Sequence, residues 1–252
     1  MSDPAGPLRG RLLAERRLSP GTWISSSSVA VADALRTLPF DWCMIDTEHA
    51  PVNPETLAAM VAVLRGPGPA PLVRVGDADV YLIKQALDAG AEGILVPLVN
   101  SEAQARSVVA YAKYPPVGVR GAAAAAASRY GTELGAYLRR ANDATLVGVQ
   151  IETRAAVEAV DRIAGVDGID LLFVGPQDLT LSLGLVDDRK NAAVRAAMRS
   201  VVAACERHGK IPGTLVIDPD EKKAAVDLGF RFVALAADLR FLLQGARAFL
   251  DA

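Results

Sequence analysis

Apolar residues along this chain switch between two spacings. Short runs rich in β-branched and aromatic residues recur eight times: GTWISS (21–26), WCMIDTE (42–48), PLVRV (71–75), GILVPLV (93–99), TLVGVQIE (145–152), IDLLFVG (169–175), IPGTLVI (211–217) and FRFVALA (230–236). Each is followed by a segment in which apolar residues return every three or four positions, such as PETLAAMVAVLR (54–65) or NAAVRAAMRSVVAACERHG (191–209). Strand then helix, repeated eight times, is the pattern of βα units laid on a parallel sheet. Glycine closes three of the helical segments, at DAG (88–90), RHG (207–209) and DLG (227–229), where a left-handed cap is expected. No G-x-G-x-x-G turn follows the first strand, so the spacing predicts a closed (β/α)8 TIM barrel, not an open dinucleotide-binding sheet. The barrel takes residues 21–252 as a single domain, and 1–20 form an N-terminal extension.

One stretch breaks the rhythm. PPVGVRGAAAAAASRYG (115–131) carries six consecutive alanines, yet its proline pair and glycines predict a loop, followed by a short extra helix near ELGAYLRRAN (133–142). A loop of this length often serves function.

Composition then narrows the classes. Lys and Arg number 27 against 29 Asp and Glu, a net charge of −2, which offers no basic surface for a nucleic-acid backbone. Hydrophobic residues make up 51%, enough for a large core. No apolar stretch reaches the length of a signal peptide or a membrane span, so no membrane association and a cytoplasmic location are expected. The two cysteines, Cys43 and Cys205, stand far apart within apolar runs and read as buried thiols.

In a barrel of this kind the reactive groups stand at the C-terminal ends of the strands. Those ends carry Asp46, Glu48 and His49, then Arg74, Gln150 and Glu152, Gly175, Pro176, Gln177 and Asp178, and finally Asp218 and Asp238. Glu152 and Asp178, on adjacent strands, are two oxygen donors suited to Mg²⁺, Mn²⁺ or Co²⁺; the alternative is a pair of solvated carboxylates, or a helix cap at Asp178. His49 stands beside two carboxylates that could orient its ring for proton transfer, or it is a surface-loop histidine; it can cooperate with Asp46 only if the strand breaks near Thr47. Arg74 would be a permanent cation in the mouth, alone or in a salt bridge to Glu48. His208, in the last turn of a helix just before Gly209, suits the helix dipole. No lysine ends a strand on this face, which disfavours a Schiff base, and the loops after strands seven and eight lack phosphate-binding glycines, so an unphosphorylated substrate is expected.

FDWCMIDTEHAPVNPETL, PLVRV, IKQALDAGAEGILVPLV, YPPVGVRG, VQIETRAAV and FVGPQDLT, in this order from about Gly21 onward, resemble the HpcH/HpaI aldolases, which are class II, metal-dependent pyruvate aldolases. The resemblance implies a divalent cation on Glu152 and Asp178, and a homohexamer built as a trimer of dimers with the last helix packed on a neighbour. It implies reversible cleavage of a 4-hydroxy-2-oxo acid into an aldehyde and pyruvate, or a related 2-oxo acid such as hydroxypyruvate. The 2-oxo acid would lie on the metal, near Gln150 and the backbone of Gly175, Pro176, Gln177 and Asp178. Arg74 matches the arginine that stabilises the enolate oxygen, and His49 matches the base.

The resemblance pairs that histidine with Asp88, which ends a helix remote from His49 and would therefore come from another subunit. Asp46 would lie toward the aldehyde. Trp23 and Leu215 match apolar positions around the pyruvate methyl, or are ordinary core. The segment after GVRG departs from the family pattern, which leaves the aldehyde pocket open. Oxaloacetate decarboxylation is the alternative chemistry on the same scaffold, and a non-catalytic binding barrel is a third reading.

Overall fold

Every other residue of each strand points inward, and the inward rows of three strands begin apolar and end polar. A computed structural model describes residues 6–186 and 188–251 of the chain. The first five residues of the expected extension and Ala252 of the expected last helix lie outside the described residues. The strands are β1 (Ser19–Ile24), β2 (Trp42–Asp46), β3 (Ala70–Arg74), β4 (Gly93–Val96), β5 (Leu146–Ile151), β6 (Leu171–Val174), β7 (Ile211–Val216) and β8 (Phe232–Ala237). All neighbours are parallel, and β1 also pairs with β8, closing the (β/α)8 barrel expected from the sequence. Seven strands end one to three residues before the runs read from the sequence. β2 stops at Asp46, and β4 stops at Val96 because Pro97 has no N–H for the ladder and Leu98 turns to a φ of 54°.

The helices are α1 (Leu8–Ala14), α2 (Val29–Leu35), α3 (Pro54–Leu64), α4 (Val80–Asp88), α5 (Glu102–Ala112), α6 (Leu134–Ala144), α7 (Arg154–Glu158), α8 (Val160–Ala164), α9 (Pro176–Ser182), α10 (Ala192–His208), α11 (Pro219–Asp227) and α12 (Asp238–Leu250). The single helical segment expected at 153–165 is divided at Ala159 into α7 and α8. The alanine run is irregular except for a 3-10 turn at Ala126–Ser128. α1 was not foreseen. Its Leu8 and Leu12 join the inner cluster with Leu146, Leu171, Ile211 and Phe232, and Arg9 pairs with Asp170 at 2.9 Å, so this helix plugs the end of the barrel away from the mouth.

Two apolar layers result. The inner one is filled from the inward rows, with Trp42 stacked on Phe232 at 3.8 Å; the outer one lies between strands and helices, and buries both cysteines without a disulfide. Following the inward rows upward, Trp42 and Met44 lead to Asp46, Ala70 and Leu72 lead to Arg74, and Leu146 and Gly148 lead to Gln150. The period of two thus delivers a polar ring to the top of an apolar barrel. Among the described residues no helix is long and apolar enough to cross a membrane.

Candidate active site

The register that places Asp46 beside Arg74 creates the centre of this ring. Asp46 accepts from Arg74 Nε at 2.9 Å and from Nη2 at 2.7 Å, a two-pronged clamp on a buried guanidinium. Arg74 Nη1 lies 2.8 Å from Glu48 Oε2 as an ion pair outside hydrogen-bonding geometry, and 3.5 Å from Gln150 Oε1. The guanidinium carbon Cζ lies over the Trp23 ring, 4.4 Å from its centroid. The cation is therefore immobile, and a second N–H on Nη2 remains uncommitted. The resemblance placed Asp46 toward the aldehyde; here its carboxylate is taken up by Arg74 and by the backbone N–H groups of Glu48 and His49.

A group of carboxylates surrounds this cation. Gln150 Nε2 donates to Glu152 Oε2 at 2.5 Å, and Leu98 N, presented by its left-handed turn, donates to Oε1 at 2.8 Å. Burial pushes the Glu152 carboxyl up to about 7, the Leu98 N–H works against that rise, and the charges of Asp178 and Glu48 add to it. Glu48 is likewise raised, first by burial, with Asp46 and Asp178 adding and Arg74 opposing. A Cβ on Gly175 would sit 2.6 Å from Glu152 Oε2, so glycine is what lets the β6 turn pass this carboxylate.

Carboxylates that repel one another across a cavity are the condition a divalent cation relieves, and the donor chemistry fits one. Among the described residues no group of three His, Cys, Asp or Glu side chains forms a ready cage. Two carboxylates with the remaining positions left to water and substrate suit a hard ion. In metal-free protein the raised Glu152 favours the neutral acid, so its contribution to stability is complete below its ordinary range and is lost as pH rises through about 7. The urea midpoint of the EDTA-treated protein should fall between pH 5 and pH 8, and Glu152→Gln should flatten that fall; an unchanged slope in the variant would assign it elsewhere.

The mouth is a cavity of about 400 Å³ bordered by Trp23, Asp46, His49, Arg74, Gln150, Gly175, Pro176, Gln177, Asp178 and Leu215. Glu152 lies just behind Gly175, so of the expected site residues only Asp88 stands apart. Asp88 ends α4 and pairs with the fully buried Arg120 at 2.7 Å. The strand does break at Thr47, which lets Asp46 meet the backbone of His49, while the imidazole stays 66% exposed with Nε2 3.8 Å from Glu48. Asp218 and Asp238, also strand-end carboxylates, are occupied locally: Asp218 caps α11, and Asp238 accepts from Ser25 N and Ser26 N. His208 pairs with Asp161 at 3.1 Å, just before Gly209 caps α10.

Three contributors escaped the sequence reading. Leu98 acts through a backbone conformation that an apolar run conceals, and Phe173 borders the mouth from an inner-core position. Arg189 reaches the rim from the loop between α9 and α10. The only signal for Arg189 was its place in DDRK, which reads as a solvated charge run.

The model of the HpcH/HpaI aldolase/citrate lyase family matches residues 20–244. A hydroxypyruvate/pyruvate aldolase from Roseovarius nubinhibens is 38% identical over 236 residues, covering 93% of this chain and 92% of that one. A 4-hydroxy-2-oxo-heptane-1,7-dioate aldolase from Salmonella dublin is 39% identical over 230 residues, covering 90% and 87%. A solved structure of an HpcH/HpaI aldolase/citrate lyase family protein from Burkholderia cenocepacia J2315 superposes with a TM-score of 0.93 at 34% identity, over 97% of both chains. With its closed barrel and this match over most of its length, the chain belongs to the HpcH/HpaI aldolase/citrate lyase family.

Proposed function

We propose that the protein is a divalent-metal-dependent carbon–carbon lyase that reversibly cleaves a 4-hydroxy-2-oxo acid into an aldehyde and pyruvate, or a related 2-oxo acid such as hydroxypyruvate. The observation that carries this reading is the juxtaposition of an immobilised guanidinium, Arg74, with mutually repelling carboxylates in one mouth. Glu152 and Asp178 would hold the ion, Mg²⁺, Mn²⁺ or Co²⁺, which when bound supplies Lewis-acid polarisation of the 2-oxo acid.

The chain's own groups do the rest. Arg74, held by Asp46, donates its uncommitted N–H to the enolate oxygen that develops as the C3–C4 bond breaks. His49 moves the proton off the 4-hydroxyl, directly or across one water, and its exposure leaves room for that. The Gly175-Pro176-Gln177 turn borders the seat of the substrate carboxylate, and Gln150 ties Glu152 to Arg74. Trp23 and Leu215 wall the methyl end. The reading predicts that the protein exchanges the methyl protons of pyruvate for solvent deuterium when a divalent cation is present and no aldehyde is added. No exchange with any of the three metals would contradict it.

The catalytic unit in this reading is 21–252, with 1–20 as an extension, acting in the cytoplasm as a homohexamer arranged as a trimer of dimers. Exposed apolar residues on α12, including Leu242, Leu243 and Phe249 (88% exposed), support burial of that helix against a second copy. Val117, Val119 and Tyr130 in the long loop are exposed in the same way. Asp88 of an adjacent copy would then orient His49. Light scattering should give six times the 26.4 kDa chain mass; a monomer would overturn both the assembly and this role of Asp88.

A further inference from the structure

We propose that Arg189 is the specificity-determining cation of the aldehyde side, receiving a carboxylate at the far end of the acceptor where the mouth adjoins a second cavity. This rests on the aldolase reading above. The second cavity, about 250 Å³, lies between β7, α10 and α11, and Pro176, Leu215 and Arg189 border both it and the mouth. The two spaces are thus neighbours that share a wall, with Pro176 and Leu215 as its apolar part. Met198, Val216 and Ala224 carry the apolar wall beyond it, a surface for methylene groups and not for a charged end.

Arg189 stands at the bend and is poorly satisfied. Its side chain is 18% exposed, its Nε is buried with no hydrogen-bond partner among the described residues, and its ion pair among them, Nη2 donating to Glu221 Oε2, is long at 3.4 Å. That oxygen already accepts from Ile217 N at 3.0 Å. A guanidinium placed only to brace the loop would be expected to form two short parallel bonds, as Arg74 does with Asp46. A ligand carboxylate offers what Glu221 does not, two free oxygens in the matching fork geometry.

Charge at the site agrees. Arg189, Lys190 and Arg195 face Asp220 and Glu221 around the second cavity, three cations against two carboxylates. In the mouth, by contrast, Arg74 is held by Asp46 and Glu48 next to the carboxylates that would hold a metal. Among the described residues lining the mouth, Arg189 is the guanidinium besides Arg74, and its buried Nε has no hydrogen-bond partner. An acceptor with an uncharged tail would leave that donor unmet.

The test is a ratio. In the addition direction, with pyruvate and a divalent cation, kcat/KM is measured for two aldehydes of equal length, 5-oxopentanoate and pentanal, on wild type, Arg189→Gln and Arg189→Lys. Wild type should favour the carboxylated aldehyde, and Arg189→Gln should lower that preference by about 10- to 100-fold, chiefly through KM, the loss expected for a charge-assisted hydrogen bond. Arg189→Lys should restore part of the preference. An unchanged ratio in Arg189→Gln, or an equal loss for both aldehydes, would overturn the proposal and leave Arg189 a loop brace. Deuterium exchange into pyruvate by the wild-type protein separates the two failures, because its absence would indict the aldolase reading itself.

Discussion

Replacing Arg74 by alanine should lower kcat for cleavage roughly a hundredfold or more, because removing one preorganised donor to a developing oxyanion costs about 3–4 kcal/mol of barrier. The substitution also strands Asp46, whose buried carboxylate relies on Arg74 Nε and Nη2. A circular dichroism melt must accompany the kinetics, since breaking a buried ion pair costs about 3–5 kcal/mol of stability. Arg74→Lys separates the effects. Lysine keeps a positive charge near Asp46 and Glu48 but cannot present the fork that meets both Asp46 oxygens while leaving a third N–H for the substrate. The lysine variant should therefore recover stability more than turnover. Wild-type turnover in Arg74→Lys would show that a point charge suffices, against the role given to the clamp.

The second large effect is expected at Glu152. Glu152→Gln is nearly isosteric and keeps an acceptor for Leu98 N, so the β4 turn and the β5 end retain their geometry. What it removes is the negative charge. Divalent-cation binding by calorimetry and metal-dependent cleavage should both fall by more than about a hundredfold, because a carboxylate ligand, not a supporting contact, is lost. If Glu152→Gln bound the cation as the wild type does, Glu152 would not be a ligand, and its raised carboxyl would be a consequence of burial alone.

The barrel was legible because its inner rows obey a period of two and its helices a period near 3.6, and both survive in the bare string of residues. The mouth was legible where a polar residue ended an apolar row, as at Asp46, Arg74, Gln150 and Glu152. What the string concealed was pairing. That Asp46 clamps Arg74 depends on the register of β2 against β3, and that Glu152 receives Leu98 N depends on a left-handed turn at a leucine. Asp238 looked like another acid of the mouth, but the close approach of β1 and β8 turns it toward the Ser25 and Ser26 amides. α1 was too short, at seven residues with no capping side chain, for its Leu8 and Leu12 to announce a helix. Arg189 was invisible because a charged loop carries no periodicity, and only the fold brings it to the same cavities as Leu215 and Pro176.

Pyruvate release from 4-hydroxy-2-oxo acids of graded chain length, before and after EDTA and again after Mg²⁺, Mn²⁺ or Co²⁺ is restored, decides whether this is a metal-dependent aldolase. EDTA should abolish cleavage, at least one of the three cations should restore it, and pyruvate and aldehyde should appear in equal amounts. Full activity in EDTA, or carbon dioxide in place of an aldehyde, would contradict that reading.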